Sequence, residues 1–192
     1  GLGRALAWSG HHDEAIATYE AALPHAGNRA NELRVAIARV KSWQDDHEAA
    51  LRDYQAVLRD DSLNLDARLG EAQVTNWSGR HRDASTLYKR ILKDHVHTAD
   101  ARIGLAAAQY WSGRTDYART TLRGGVPSPA LTGLLNEIDR SVAPDTSYLY
   151  EQNKDTDDVE RRLHTVDAGV WTGDLTRIGA EYGHGTFEQP DR

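Results

Sequence analysis

Trp77-Ser78-Gly79-Arg80-His81-Arg82-Asp83-Ala84 decides the fold, because its pattern returns from Trp8 to Ala15, from Trp43 to Ala50 and from Trp111 to Ala118. The four tryptophans stand 35, 34 and 34 residues apart. Seven residues after each comes an alanine, Ala15, Ala50, Ala84 or Ala118. Eleven residues after the first three comes Tyr19, Tyr54 or Tyr88, with Leu122 in the fourth copy, and fifteen after the first three comes Leu23, Leu58 or Leu92. A period near 34 that holds in several registers and contains two helical stretches reads as a helix-turn-helix solenoid.

Within each copy the first helix is expected to end at the tryptophan and the second to start two or three residues later. Gly70, Val74 and Trp77 fall on one helical face, as do Ala36, Val40, Trp43 and Gly104, Ala108, Trp111. This places the tryptophans on the apolar stripe and predicts that they are buried packing residues. The glycine or alanine seven residues upstream is read as room for a neighbouring helix, and the downstream alanine as a gap for an indole. Gly10, Gly79 and Gly113 suit a helix terminator in the left-handed conformation. Asp45 stands there in the second copy and predicts a looser or differently capped turn. His12, His47 and His81 follow these turns and read as packing residues rather than metal ligands.

Ser128 before Pro129 is a good helix start. Leu131, Leu134, Leu135, Ile138 and Val142 would form the buried side of that helix, with Asn136, Glu137, Asp139 and Arg140 outward. A helix of this kind closes a solenoid by covering its last repeat.

The copies resemble tetratricopeptide repeats, which implies an all-α solenoid of about four repeats plus a capping helix over residues 1–143. The resemblance also implies a ligand groove lined by the first helices. Carried onto this chain, its groove positions include Arg39, Gln73, Asn76 and Tyr110. Adaptors that clamp a C-terminal carboxylate use lysine and asparagine in such a groove. The positions that supply the first lysine are Val35, Leu69 and Ile103 here, which argues against that mode.

Composition bounds the function. At 39% hydrophobic and 27% charged the chain is globular rather than disordered. No apolar run approaches the roughly 18 residues of a spanning helix. Cysteine is absent, which excludes disulfides and thiolate metal sites. Methionine is absent too, even at position 1, so the sequence reads as part of a longer protein. Residues 1–144 carry 18 basic and 18 acidic side chains, whereas residues 145–192 carry 5 and 11, so the net charge of −6 lies in the tail. A neutral solenoid without a basic stripe argues against nucleic acid as partner. The histidines and carboxylates are scattered along repeat faces, so no catalytic set, metal site or cofactor is expected. The pair His95 and His97 is too short a signal for a metal site.

After Ala143 and Pro144 the periodicity changes from helical to alternating. Val166, Ala168 and Val170 share one parity, as do Ile178, Ala180 and Tyr182 after a turn near 172–174. These read as two strands of about 10–12 residues, long enough for tilted membrane-spanning strands. Tyr148-Leu149-Tyr150 reads as a shorter strand before them. The Asp-rich stretch 153–158 reads as a hairpin loop, since it lacks the glycine and closing glutamate of an EF-hand.

Trp-Ser-Gly copies followed by Ala-Pro, Tyr-x-Tyr and alternating strands resemble outer-membrane proteins that carry periplasmic repeats ahead of a β-barrel. The cellulose-synthase operon C subunits and the poly-N-acetylglucosamine export porin share this order. The resemblance implies that residues 144–192 are the first strands of an outer-membrane β-barrel, in contact with outer-membrane lipid. It places the protein in a bacterial cell envelope, with the repeats periplasmic. It further implies a non-enzymatic scaffold for exopolysaccharide export, binding protein partners or polysaccharide along the repeat groove. The alternative is a soluble tetratricopeptide adaptor whose tail is a small accessory sheet.

Overall fold

The computed structural model describes residues 1–95, 98–141, 145–154, 160–172 and 176–188. They belong to two compact units, Gly1–Thr132 and Gly133–Arg192. The first unit is built of helix pairs: α1 (Leu2–Trp8) with α2 (His12–Ala22), α3 (Ala30–Trp43) with α4 (His47–Asp60), α5 (Leu65–Trp77) with α6 (His81–Asp94), and α7 (Ala99–Trp111) with α8 (Thr115–Arg123). Two short 3-10 turns, Leu23–His25 and Gly27–Arg29, join the first pair to the second.

Each first helix ends at its tryptophan, as the spacing predicts. Each second helix starts four residues later rather than two or three, because a complete C-terminal turn intervenes. The Gly79 amide donates to the Asn76 carbonyl at 3.0 Å and the Arg80 amide to the Thr75 carbonyl at 3.2 Å, which occupies carbonyls that the helix end leaves open. Gly10, Gly79 and Gly113 take φ of 83°, 77° and 81°, open only to residues that tolerate the left-handed region.

Asp45 takes the same conformation at φ 60°, so its turn is not looser. Its amide donates to the Ser42 carbonyl at 3.4 Å, and the Asp46 amide to the Lys41 carbonyl at 3.1 Å. The expected difference in capping is present: the Asp46 side chain accepts from the Ala49 amide at 3.1 Å. His11, Arg80 and Arg114 in the same place supply no side-chain cap.

The repeat alanines sit deepest in the core, and Ala15, Ala50, Ala84 and Ala118 are fully buried. Aliphatic side chains lie beside them. Ala15 packs with Val40, Ala50 with Val74, and Ala84 with Ala108, each from the following repeat's first helix. A larger side chain there would push successive helix pairs apart. Ion pairs repeat with the helices: Arg34 to Asp60 at 3.1 Å and Arg68 to Asp94 at 2.8 Å occupy equivalent positions in consecutive pairs.

Helix α9 (Pro129–Ser141) starts as expected, with the Leu131 amide donating to Ser128 Oγ at 3.2 Å. Leu131 and Ile138 are buried, Leu134 and Leu135 half-buried, and Asn136, Glu137 and Arg140 exposed, whereas Asp139, expected to face outward with them, is half-buried. Val142 lies outside the described residues. No helix among the described residues is long and apolar enough to cross a membrane.

The second unit carries an antiparallel sheet of β1 (Asp145–Lys154), β2 (Glu160–Thr172) and β3 (Thr176–Glu188), in the order β1-β2-β3. The short strand expected at Tyr148-Leu149-Tyr150 is the middle of β1, which extends beyond it at both ends to ten residues. In register, Val166 stands opposite Tyr182, Ala168 opposite Ala180 and Val170 opposite Ile178, so the apolar positions of β2 and β3 share one side. Tyr148 stands opposite Val166 and continues that row of positions onto β1. Val166 and Tyr182 are exposed. Three strands make an open sheet with two edges, and no closed barrel is found among the described residues. Residues 155–159 and 173–175, on which most of the expected Asp-rich loop and turn fall, lie outside them.

Candidate functional site: a groove along the first helices

A cavity of about 570 Å³ opens along α3, α5 and α7. Its lining is built twice, since Tyr54 and Tyr88, Asp66 and Asp100, Gly70 and Gly104, and Trp77 and Trp111 are pairs one repeat of 34 residues apart. The floor comes from tyrosine against glycine. A Cβ placed on Gly70 would lie 2.6 Å from Tyr54 Oη, and one on Gly104 would lie 2.6 Å from Tyr88 Oη, so neither glycine can carry a side chain without moving a ring. The space expected for a neighbouring helix is therefore taken by a phenol ring from the preceding repeat's second helix. In the second copy Ala36 replaces the glycine. Tyr19 is half-buried there and lies against Gly3 of its own repeat, where a Cβ would meet its Cε1 at 2.7 Å.

The tryptophans are not buried, contrary to the expectation from their helical face. Trp43, Trp77 and Trp111 are 40%, 41% and 49% exposed, and Trp8 is 80% exposed. The reason is angular: positions i and i+7 differ by about 20° around a helix, so Trp77 shares the groove edge with Gly70, while Val74 sits about 40° from Gly70 in the opposite sense, toward the core. The histidines do pack, each against the tryptophan of the following repeat. Ring centroids are 6.1 Å apart for His12 and Trp43, 6.4 Å for His47 and Trp77, and 5.9 Å for His81 and Trp111. One side of each indole is thus held while another faces the groove.

Arg39, Gln73 and Asn76 line the cavity as the repeat positions predict; Tyr110, half-buried, does not. Arg39 and Gln73 are exposed and within reach of a ligand. Asn76 is buried and holds the turn, its Oδ1 2.7 Å from His81 Nδ1. Burial raises the Tyr54 phenol above its ordinary 10.0, opposed by the charge and hydrogen bond of Arg39. Burial also raises Tyr88, and the neighbouring Asp100 carboxylate adds to it. Both hydroxyls therefore stay protonated at neutral pH.

Asp66, Asp100 and the two tyrosine-glycine pairs are groove residues that reading the sequence does not reach. Their signal is the 34-residue spacing, but the period does not say which positions face outward. Among the described residues no group of three histidines and carboxylates is placed to hold a metal ion. His97 lies outside them.

No protein-family model matches the chain, and no curated protein matches it in sequence. Solved structures do match. TTC0263, a thermophilic TPR protein in Thermus thermophilus, superposes with a TM-score of 0.63 at 18% identity, covering 73% of this chain and 79% of that one. A tetratricopeptide repeat protein from Parabacteroides merdae gives 0.59 at 17% identity, over 72% of this chain and 56% of that one. A double mutant of MamA RS-1 gives 0.56 at 13% identity, over 73% and 80%. The helical unit therefore has the tetratricopeptide-repeat fold.

Proposed function

We propose that the chain is a non-enzymatic binding scaffold whose groove holds an extended partner, and that it serves as the periplasmic repeat region of an outer-membrane exopolysaccharide-export porin. In this reading residues 1–143 are the repeat domain, and residues 144–192 begin the barrel. The observation that carries the scaffold is the doubled groove of about 570 Å³ along consecutive first helices. The barrel assignment is supported by β2 and β3, each thirteen residues long with their apolar positions in register. A tilted strand needs about 9–11 residues to cross a bilayer. Lipid would meet the side that carries Val166 and Tyr182, and outer-membrane lipid is then a partner.

The test is fractionation of the protein in its source cells, with protease added before and after the outer membrane is opened. Outer-membrane recovery, with repeats cleaved only after opening, is the expected result. Recovery in a soluble fraction would replace the porin with the second reading, a soluble adaptor. The groove is complete within the first unit, and that observation favours the adaptor.

A further inference from the structure

The unpaired chemistry of the groove identifies what it accepts. Asp66 and Asp100 are exposed in the first turns of α5 and α7, and neither is in an ion pair among the described residues. The equivalent carboxylate one repeat earlier, Glu32, is held by Arg29 at 3.1 Å. Two carboxylates without a basic partner therefore form one edge of the groove. The half-exposed indoles of Trp77 and Trp111, at the opposite ends of the same helices, form the other edge. Between these edges Gly70 and Gly104 make room for the Tyr54 and Tyr88 rings that form the floor, and exposed Gln73 offers both a donor and an acceptor.

Spacing narrows the occupant further. Packed helices lie about 8–10 Å apart, so the two carboxylates recur at about that interval across the groove. A polyproline II segment rises about 3.1 Å per residue with three residues per turn, which returns every third side chain to one side after about 9 Å. We propose that the groove binds an extended basic segment of a partner protein. Lysine or arginine at every third residue would lie against Asp66 and Asp100, with apolar side chains toward Trp77 and Trp111. Gln73 pairs with a peptide group of that segment, and Arg39 meets one of its carbonyls. The inference deepens the scaffold reading and rests on its groove, not on the membrane assignment.

Fluorescence anisotropy of the 192-residue chain with a labelled (Lys-Pro-Pro)4 peptide tests it. The comparison probes are a peptide of the same composition with its lysines contiguous, a glutamate version and a glucosamine oligomer. The spaced peptide is expected to bind at least about tenfold tighter than each of these. Asp66→Asn and Asp100→Asn, at exposed positions where the fold is retained by far-UV circular dichroism, should each weaken it by about tenfold, the effect of one charge-assisted hydrogen bond. Equal binding of spaced and contiguous peptides, or unchanged affinity in both variants, overturns the proposal. Tighter binding of the glucosamine oligomer, lost in the same variants, also overturns it and assigns the groove to a cationic glycan. Cell fractionation reports on the porin separately, so the two readings fail independently.

Discussion

Replacing Gly70 with alanine sets two effects of opposite sign against each other, and the structure decides which is larger. In a helix interior the change should stabilise by about 1 kcal/mol, because alanine loses less backbone entropy. The new methyl, however, would stand 2.6 Å from Tyr54 Oη and closer still to the ring. Tyr54 is 2% exposed and must swing out, toward the half-buried state that Tyr19 has in the copy with Ala36. Returning roughly half of a tyrosine's about 200 Å² to water costs about 2–2.5 kcal/mol at about 25 cal/mol per Å². The net is a loss of about 1–1.5 kcal/mol, or a melting point lower by about 2–6 °C for a chain of this size. Thermal melts by far-UV circular dichroism measure it. In a Tyr54→Leu background the same glycine change should instead stabilise by about 1 kcal/mol, since no ring is left to displace. A Gly70→Ala variant that melts above the parent with Tyr54 in place would refute the reasoning.

Trp8→Ala should cost under about 0.5 kcal/mol, and Trp77→Ala about 1–2 kcal/mol, less than the roughly 3–5 of a buried tryptophan; equal losses in urea melts would contradict the exposures of 80% and 41%. Asp45→Gly removes a left-handed side chain at φ 60° and should stabilise by about 0.5 kcal/mol, read as a raised urea midpoint; a lowered midpoint would mean that Asp45 is unstrained. Tyr88 is raised from 10.0 by burial, so its stabilisation is complete below pH 10.0 and is lost as pH rises toward its higher folded value. Helix content should therefore fall above about pH 10 in the parent and fall less in Tyr88→Phe; identical alkaline profiles would count against a buried phenol.

The sequence alone determined the repeat, its turns and its buried alanines, because each depends on neighbours within a few residues or on a size limit that recurs. Gly79 after Trp77-Ser78 marks a helix end through its own backbone freedom, and Ala84 marks a buried position because nothing larger fits. The alternation of Val166, Ala168 and Val170 likewise specified a strand without knowledge of its partner. Only the tertiary structure decided how far each face is covered. Trp77 and Val74 lie on the same helical stripe, but Val74 meets the preceding repeat's Ala50 while Trp77 stops at the groove edge beside His47. Tyr54 and Gly70 belong to different repeats, so their contact, and with it the groove floor and the carboxylate edge above it, exists only once the helix pairs have stacked.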